Sequence, residues 1–166
     1  MSTSKDRRVS TGGQLLALGI FIGITALAAF IGGLATGTSV TTWYPTLVKP
    51  SWNPPAWVFG PVWTTLYLMM AIAAWLVWRK KGLRDGAAPI GLYFIQLALN
   101  AVWSVLFFGL HSPGLALIDI AVLWCAIAAT TWTFIRQSLP AGLLMIPYWL
   151  WVTFASALNA AIYHLN

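Results

Sequence analysis

Charge is what this sequence lacks. Only 7% of its 166 residues are Asp, Glu, Lys or Arg, against about 25% in soluble domains. Twelve charged side chains cannot solvate a globule of this size. One cysteine, Cys125, excludes an internal disulfide and leaves the compartment open. His111 falls in a loop and His164 at the C-terminal end, so no helical histidine pair offers a metal site, and no metal is expected. Glycine-rich phosphate loops are missing, and no Ser, His and Asp are spaced as a nucleophile with its base. An ion pathway needs several buried ionisable groups, and only Asp119 lies within an apolar run. Internal repeats, soluble domains and nameable linkers are absent too.

What is present is apolar. Hydrophobic residues make up 60% of the chain. The stretches free of charge run 9–48, 50–78, 86–118, 120–135 and 137–166, most of them longer than the roughly 20 residues that cross a bilayer. The chain reads as an all-α, multi-pass integral membrane protein, a bundle of five transmembrane helices in one domain, 1–166. The expected spans are 14–35, 56–78, 87–109, 114–135 and 140–163. In lipid such runs must be helices, because an exposed loop would leave backbone groups unpaired.

The formal charge of +6 reads as topology rather than as a nucleic-acid footprint, and no nucleic-acid partner is expected. Lys5, Arg7, Arg8, Arg79, Lys80, Lys81, Arg84 and Arg136 fall on one side of this topology and only Lys49 on the other. The positive-inside rule puts the N-terminus in the cytoplasm and favours an inner membrane. The start, "KDRR" before an apolar run and "ALA" at 26–28, has signal-peptide character, but the run continues through Phe30, Ile31 and Leu34 and is taken as a retained span. Its Gly19-x-x-x-Gly23 and Gly33-x-x-x-Gly37 spacings suit close helix packing first and dimerisation second.

Between the first two spans lies "WYPTLVKPSWNPPAWVFGPVW", with four tryptophans and five prolines in residues 43–63. Its prolines fix φ and predict a stiff, extended segment over 36–55. Trp43, Tyr44, Trp52 and Trp57 suit a membrane interface. Trp63 is different, about 10 Å inside the second helix, with Tyr67 one turn deeper on the same face. Gln96, Asn100 and Trp103 or Ser104 form a stripe on the third span. Tyr148, Trp151 or Val152, Ala155 and Asn159 form one on the fifth, and Asp119 sits in the fourth. Singly, each amide serves as interhelical glue. Together, Trp63, Asn100, Trp103, Asp119, Trp151 and Asn159 predict a cavity of flat aromatics with polar anchors, under the proline-rich loop as lid.

"WYPTLVKPSWNPPAWVFGPVWTTLY", "GLYFIQLALNAVWSVLFFG" and "IPYWLWVTFASALN" resemble, in order, the motifs of the TspO/MBR family, the tryptophan-rich sensory and translocator proteins. The resemblance implies a five-helix bundle, often a homodimer, with a ligand cavity beneath the first loop. It implies tetrapyrrole ligands such as protoporphyrin IX or haem-like molecules and sterols in animal members, and no cofactor is expected, the porphyrin being ligand or substrate. Motif by motif, the cavity tryptophans fall on Trp63 and Trp151, the third-helix asparagine on Asn100 and a small fifth-helix residue on Ala155, with Trp43 and Trp52 covering the ligand. Bacterial relatives have been placed in the outer membrane, but a helical bundle with this charge bias reads more naturally as an inner-membrane protein. The sterol-associated pattern needs a cation after a C-terminal tyrosine, but Tyr163 is followed by His164, Leu165 and Asn166, which counts against sterol. Where animal members carry tryptophan near the start of the fourth helix, this chain has Leu115.

Three functions remain. A receptor or carrier would stack a tetrapyrrole on Trp63 and Trp151, with Lys49 and loop indoles meeting its propionates. An enzyme would use Trp63 and Trp151 to direct the light-driven oxidation of bound porphyrin. The third is a sterol- or lipid-binding protein, or an assembly or regulatory partner whose cavity is incidental. Binding ranks first because catalysis also requires it.

Overall fold

The computed structural model describes residues 10–166, without the side chains of 83–85. Lys5, Arg7 and Arg8, on which the orientation partly rests, lie outside the described residues, as does the side chain of Arg84. Five helices are long and apolar enough to cross a membrane: Thr11–Thr36, Ala56–Gly82, Ala87–Gly109, Pro113–Gln137 and Leu139–Leu165. They belong to α1 (Thr11–Thr36), α3 (Ala56–Asp85), α4 (Ala87–Ser104), α5 (Pro113–Gln137) and α6 (Leu139–Leu165), while α2 is the single turn Ser39–Thr42. No strand occurs among the described residues. The chain is an integral, multi-pass membrane protein of the all-α class.

Local sequence explains the ends. Ser10 caps α1, its hydroxyl accepting from the Gly13 N–H at 3.2 Å. Pro113 opens α5 in its first turn, where a missing N–H costs nothing. Gly82 takes a left-handed φ of 70° and interrupts α3 at its charged end. Only three residues, Leu110–Ser112, separate the last turn of the third span from α5, and His111 sits among them at φ 50°.

Neighbour contacts place the helices in a ring in the order α1, α3, α6, α5, α4 and back to α1. The pairs α5–α6 and α4–α5 pack most extensively. At the start of α6 a Cβ on Gly142 would lie 2.8 Å from the Ile135 Cα, so only glycine lets the two helices approach this closely. The main core joins Phe21, Leu66, Met70, Tyr93, Phe134, Met145 and Tyr148 toward the Arg79 end of the bundle. Thr25 and Tyr93 share a buried hydrogen bond between α1 and α4. A smaller cluster of Phe107, Ala116, Leu158 and Ile162 lies toward the other end, beneath the 37–55 loop.

The outward faces are apolar, with Leu16, Leu27, Phe30, Leu34, Ile118 and Trp132 among their exposed residues, as lipid contact requires. The glycine spacings on α1 behave otherwise than expected. A Cβ on Gly19, Gly23 or Gly33 would meet nothing within 4 Å. The packed glycine is Gly32, where a Cβ would lie 3.1 Å from the Ser104 hydroxyl of α4.

The 36–55 segment is also corrected. Rather than extended throughout, it coils into α2 and a 3-10 turn at Tyr44–Thr46 before straightening. Thr41 and Thr42 turn their hydroxyls onto the Thr38 carbonyl, which satisfies the short helix locally.

Candidate functional site

One face of each of four long helices converges below the loop. On α3 the residues are Ala56, Phe59, Gly60, Trp63 and Tyr67, spaced as one helical stripe. From α6 come Trp151, Ala155, Leu158, Asn159 and Ile162, and from α1 Ala29, Gly32, Gly33 and Thr36. The third span gives Asn100, Trp103, Ser104, Phe107 and Phe108, and the loop gives Val40 and Tyr44. Together they enclose a cavity of about 270 Å³, just under the roughly 300–1,000 Å³ of pockets that enclose drug-sized ligands.

A π-helical turn shapes one wall. Over Val105–Gly109 the backbone takes the wider repeat, closed by the Leu110 N–H on the Val105 carbonyl at 2.8 Å. Such turns recur at functional sites. Here the turn carries both Phe107 and Phe108, which line the cavity beside Trp103. Trp103 stacks on Phe107 at 5.2 Å and donates its indole N–H to Asn159 Oδ1 at 3.0 Å. The Asn159 amide in turn donates to the Pro113 carbonyl at 2.9 Å. Asn159 therefore braces three helices as well as facing the cavity.

The floor is a chain of side chains. The Tyr67 hydroxyl donates to Asn100 Oδ1 at 2.5 Å, and Asn100 Nδ2 donates to the Tyr148 hydroxyl at 3.1 Å. Trp63 lies over this chain, 5.5 Å from the Tyr67 ring and edge-on to Tyr148 at 6.2 Å. Trp151, from α6, meets Phe59 of α3 edge-on at 5.9 Å. Beneath the floor the bundle is filled by buried Met70, Tyr93, Gln96 and Met145. Among the described residues Gln96 reaches only the Met70 sulfur, at 3.8 Å, and it is no part of the cavity wall.

The roof is strapped down. Lys49 Nζ donates to the carbonyls of Tyr44 and Leu47, both at 2.8 Å, and to that of Pro45 at 3.4 Å. Its three N–H groups are thereby committed to the loop, so Lys49 is not the free cation expected for a propionate. The Tyr44 hydroxyl donates to Asn53 at 2.7 Å, and burial raises its pKa above the usual phenol value, keeping it a donor at neutral pH. Val48 exchanges two hydrogen bonds with the Asn166 side chain, at 2.9 and 3.0 Å. Ser39 bonds His111 at 3.1 Å, and Trp43 stacks on the same imidazole at 4.4 Å.

Of the residues expected at the site, the structure brings Trp63, Tyr67, Asn100, Trp103, Trp151, Ala155 and Asn159 to one cavity. Tyr148 stands behind the wall, fully buried, bonded to Asn100. Trp43 and Trp52 do not line the cavity. Trp43 holds the roof onto His111 and Phe107, and Trp52 is 48% exposed, edge-on to Phe154. Asp119 is likewise absent from the lining, and α5 supplies none of it. Its carboxylate is buried in the bundle, with Oδ2 lacking a partner among the described residues. The small residues of α1 and the Phe107–Phe108 pair were not anticipated. The first follow from a helix face that must stay thin, the second from a π turn with no sequence period of its own.

Chemically the cavity is apolar and uncharged, with aromatic faces and the polar groups of Asn100, Asn159, Ser104 and Thr36. Among the described residues no three of His, Cys, Asp and Glu gather to hold a metal. Such a site stacks a flat apolar molecule and orients it by a few hydrogen bonds.

Residues 21–165 match the TspO/MBR family. The chain is 46% identical over 157 residues to the "Tryptophan-rich protein TspO" of Chlorobaculum tepidum, covering 92% of this chain and 98% of that one. It is 41% identical over 143 residues to the human "Translocator protein", covering 85% of each. To the "Tryptophan-rich sensory protein" of Cereibacter sphaeroides it is 41% identical over 145 residues, covering 86% of this chain and 90% of the relative.

Proposed function

The chain belongs to the TspO/MBR family, and from that premise we propose that it is a membrane receptor or carrier for a tetrapyrrole such as protoporphyrin IX. The observation that carries the reading is that Trp63 and Trp151, from two helices, both line one uncharged aromatic cavity. A planar macrocycle stacks on indole faces, and Asn100 and Asn159 offer hydrogen bonds at its edge. Acidic substituents find no cation inside, so they point toward the mouth, where water and lipid headgroups solvate them. The residues committed to the ligand are Trp63, Tyr67, Asn100, Trp103, Trp151, Ala155 and Asn159, with Tyr148 holding Asn100. Trp43 and Trp52 act through the roof. The N-terminus faces the cytoplasm and the roof the opposite side, with residence in an inner membrane, as the cation bias directs. No resident cofactor is required, and the flat aromatic lining favours a tetrapyrrole over a purely aliphatic lipid.

A dark titration of the purified protein with protoporphyrin IX, followed by tryptophan quenching, tests this. The expected result is saturable binding, weakened about tenfold or more in Trp63→Phe/Trp151→Phe, the equivalent of 1.4 kcal/mol or more. Absent saturation, or equal binding by both proteins, would sink the reading. Because both tryptophans face the same space, the titrated samples then go under light. Porphyrin loss that requires the two indoles would mark photo-oxidation by dioxygen as a second activity of the site.

A further inference from the structure

The roof of the cavity is fastened, but one side wall is not. On the face between α1 and α3, in the half of the bundle next to the loop, Gly33, Ala56 and Gly60 line the cavity and are at the same time exposed rather than covered by packed side chains. From Ala56 to Thr65 not one residue of α3 is buried; burial on that helix begins at Leu66. Over 26–38 the one buried residue of α1 is Gly32, and it leans on Ser104 of α4 rather than on α3. Toward the other end the two helices do close, through Phe21 packed in the core with Leu66 and Met70 and through the Trp75 indole N–H on the Gln14 carbonyl at 3.0 Å. They are therefore joined at one end and parted at the other.

Resting on the tetrapyrrole reading, we infer that the slot between Gly33 and Gly60 is the ligand's doorway, and that it admits the ligand sideways from the bilayer. Depth sets the chemistry of what passes. Gly60 is the fifth residue of α3 and Gly33 lies three residues before the end of α1, so the slot sits about 4.5–6 Å from the helix ends at the helical rise. That is the boundary between headgroups and acyl chains. The doorway suits an amphiphile whose flat apolar body slides in between the helices while its acidic edge stays among the headgroups. It also relieves the size constraint, because a macrocycle larger than about 270 Å³ keeps one edge in the slot. Residues without bulky side chains are what such a passage needs, and a Cβ on either glycine would meet nothing within 4 Å.

The experiment measures the rates of protoporphyrin IX entry and exit by stopped-flow tryptophan quenching in vesicles preloaded with the porphyrin. The proteins are the native chain, Gly33→Phe/Gly60→Phe and the milder Gly60→Leu. Gly19→Phe, on the same helix with equally open surroundings but away from the cavity, reports any general cost of a large side chain on α1. The doorway predicts that association and dissociation slow together, by about tenfold or more in the double variant, less in Gly60→Leu and not in Gly19→Phe. Unchanged rates in the double variant would overturn it and send the ligand through the roof. A rise in dissociation alone would also overturn it, since the new side chains would then be crowding the bound ligand. If the native chain takes up no porphyrin, the functional reading itself falls, and the doorway as its route falls with it.

Discussion

At the scale of the residue, Asn100 carries the most. It joins Tyr67 on α3 to Tyr148 on α6 from its own place on α4, so one amide ties three helices at the cavity floor. Interhelical hydrogen bonds in membranes average about 0.6 kcal/mol and reach about 1.7 kcal/mol. Asn100→Leu removes two of them, leaving the fully buried Tyr148 hydroxyl without that partner. The variant is expected to lose about 1–3 kcal/mol, read as a lower thermal midpoint in detergent, and to weaken porphyrin binding as well. An unchanged midpoint would show that the chain of bonds is not structural. Asn100 was legible in the sequence because an amide in an apolar helix needs a partner, and its stripe pointed inward. Lys49 was misread for a related reason. Its charge was visible, but not the three loop carbonyls that absorb it. Sequence shows which groups need partners; only folding decides which partners they find.

Elements separate what was legible from what was not along the same line. The five long helices follow from apolar length and the breakers between them, and the structure extends each expected end by no more than four residues. The coil of the 37–55 loop does not follow, because proline fixes φ without fixing ψ. The glycines on α1 show a second limit: regular spacing drew attention to Gly19 and Gly23, whereas contact falls on Gly32. Contact geometry also yields a prediction for the α5–α6 hairpin. Gly142→Ala would drive a methyl to within 2.1 Å of the Ile135 side chain and 2.8 Å of its backbone, where nothing flexible can yield. Overpacking of this kind costs about 1–3 kcal/mol or more. The α5–α6 packing should loosen, seen as faster hydrogen exchange over 130–145 and a lower midpoint. Gly19→Ala on the open face of α1 should stay within about 0.5 kcal/mol of the native chain. Equal effects from the two changes would contradict the packing described.

On the scale of the whole molecule, the bundle is closed at one end and hollow at the other. Core residues fill the Arg79 end, a hydrogen-bonded floor crosses the middle, and the loop roofs the cavity above it. This asymmetry supports the proposed receptor or carrier, with its ligand held in the half of the bundle beneath the loop. Aromatic surface lining the cavity is the feature on which the proposed function rests. The most direct test fills that space without touching a tryptophan. Ala155 faces the cavity from α6, and Ala155→Phe would occupy a large part of it. Dark protoporphyrin IX titration of this variant, with its helicity and thermal midpoint checked alongside, should show affinity lowered about tenfold or more in a protein that remains folded. Native affinity in the filled protein would place the ligand elsewhere and contradict the account.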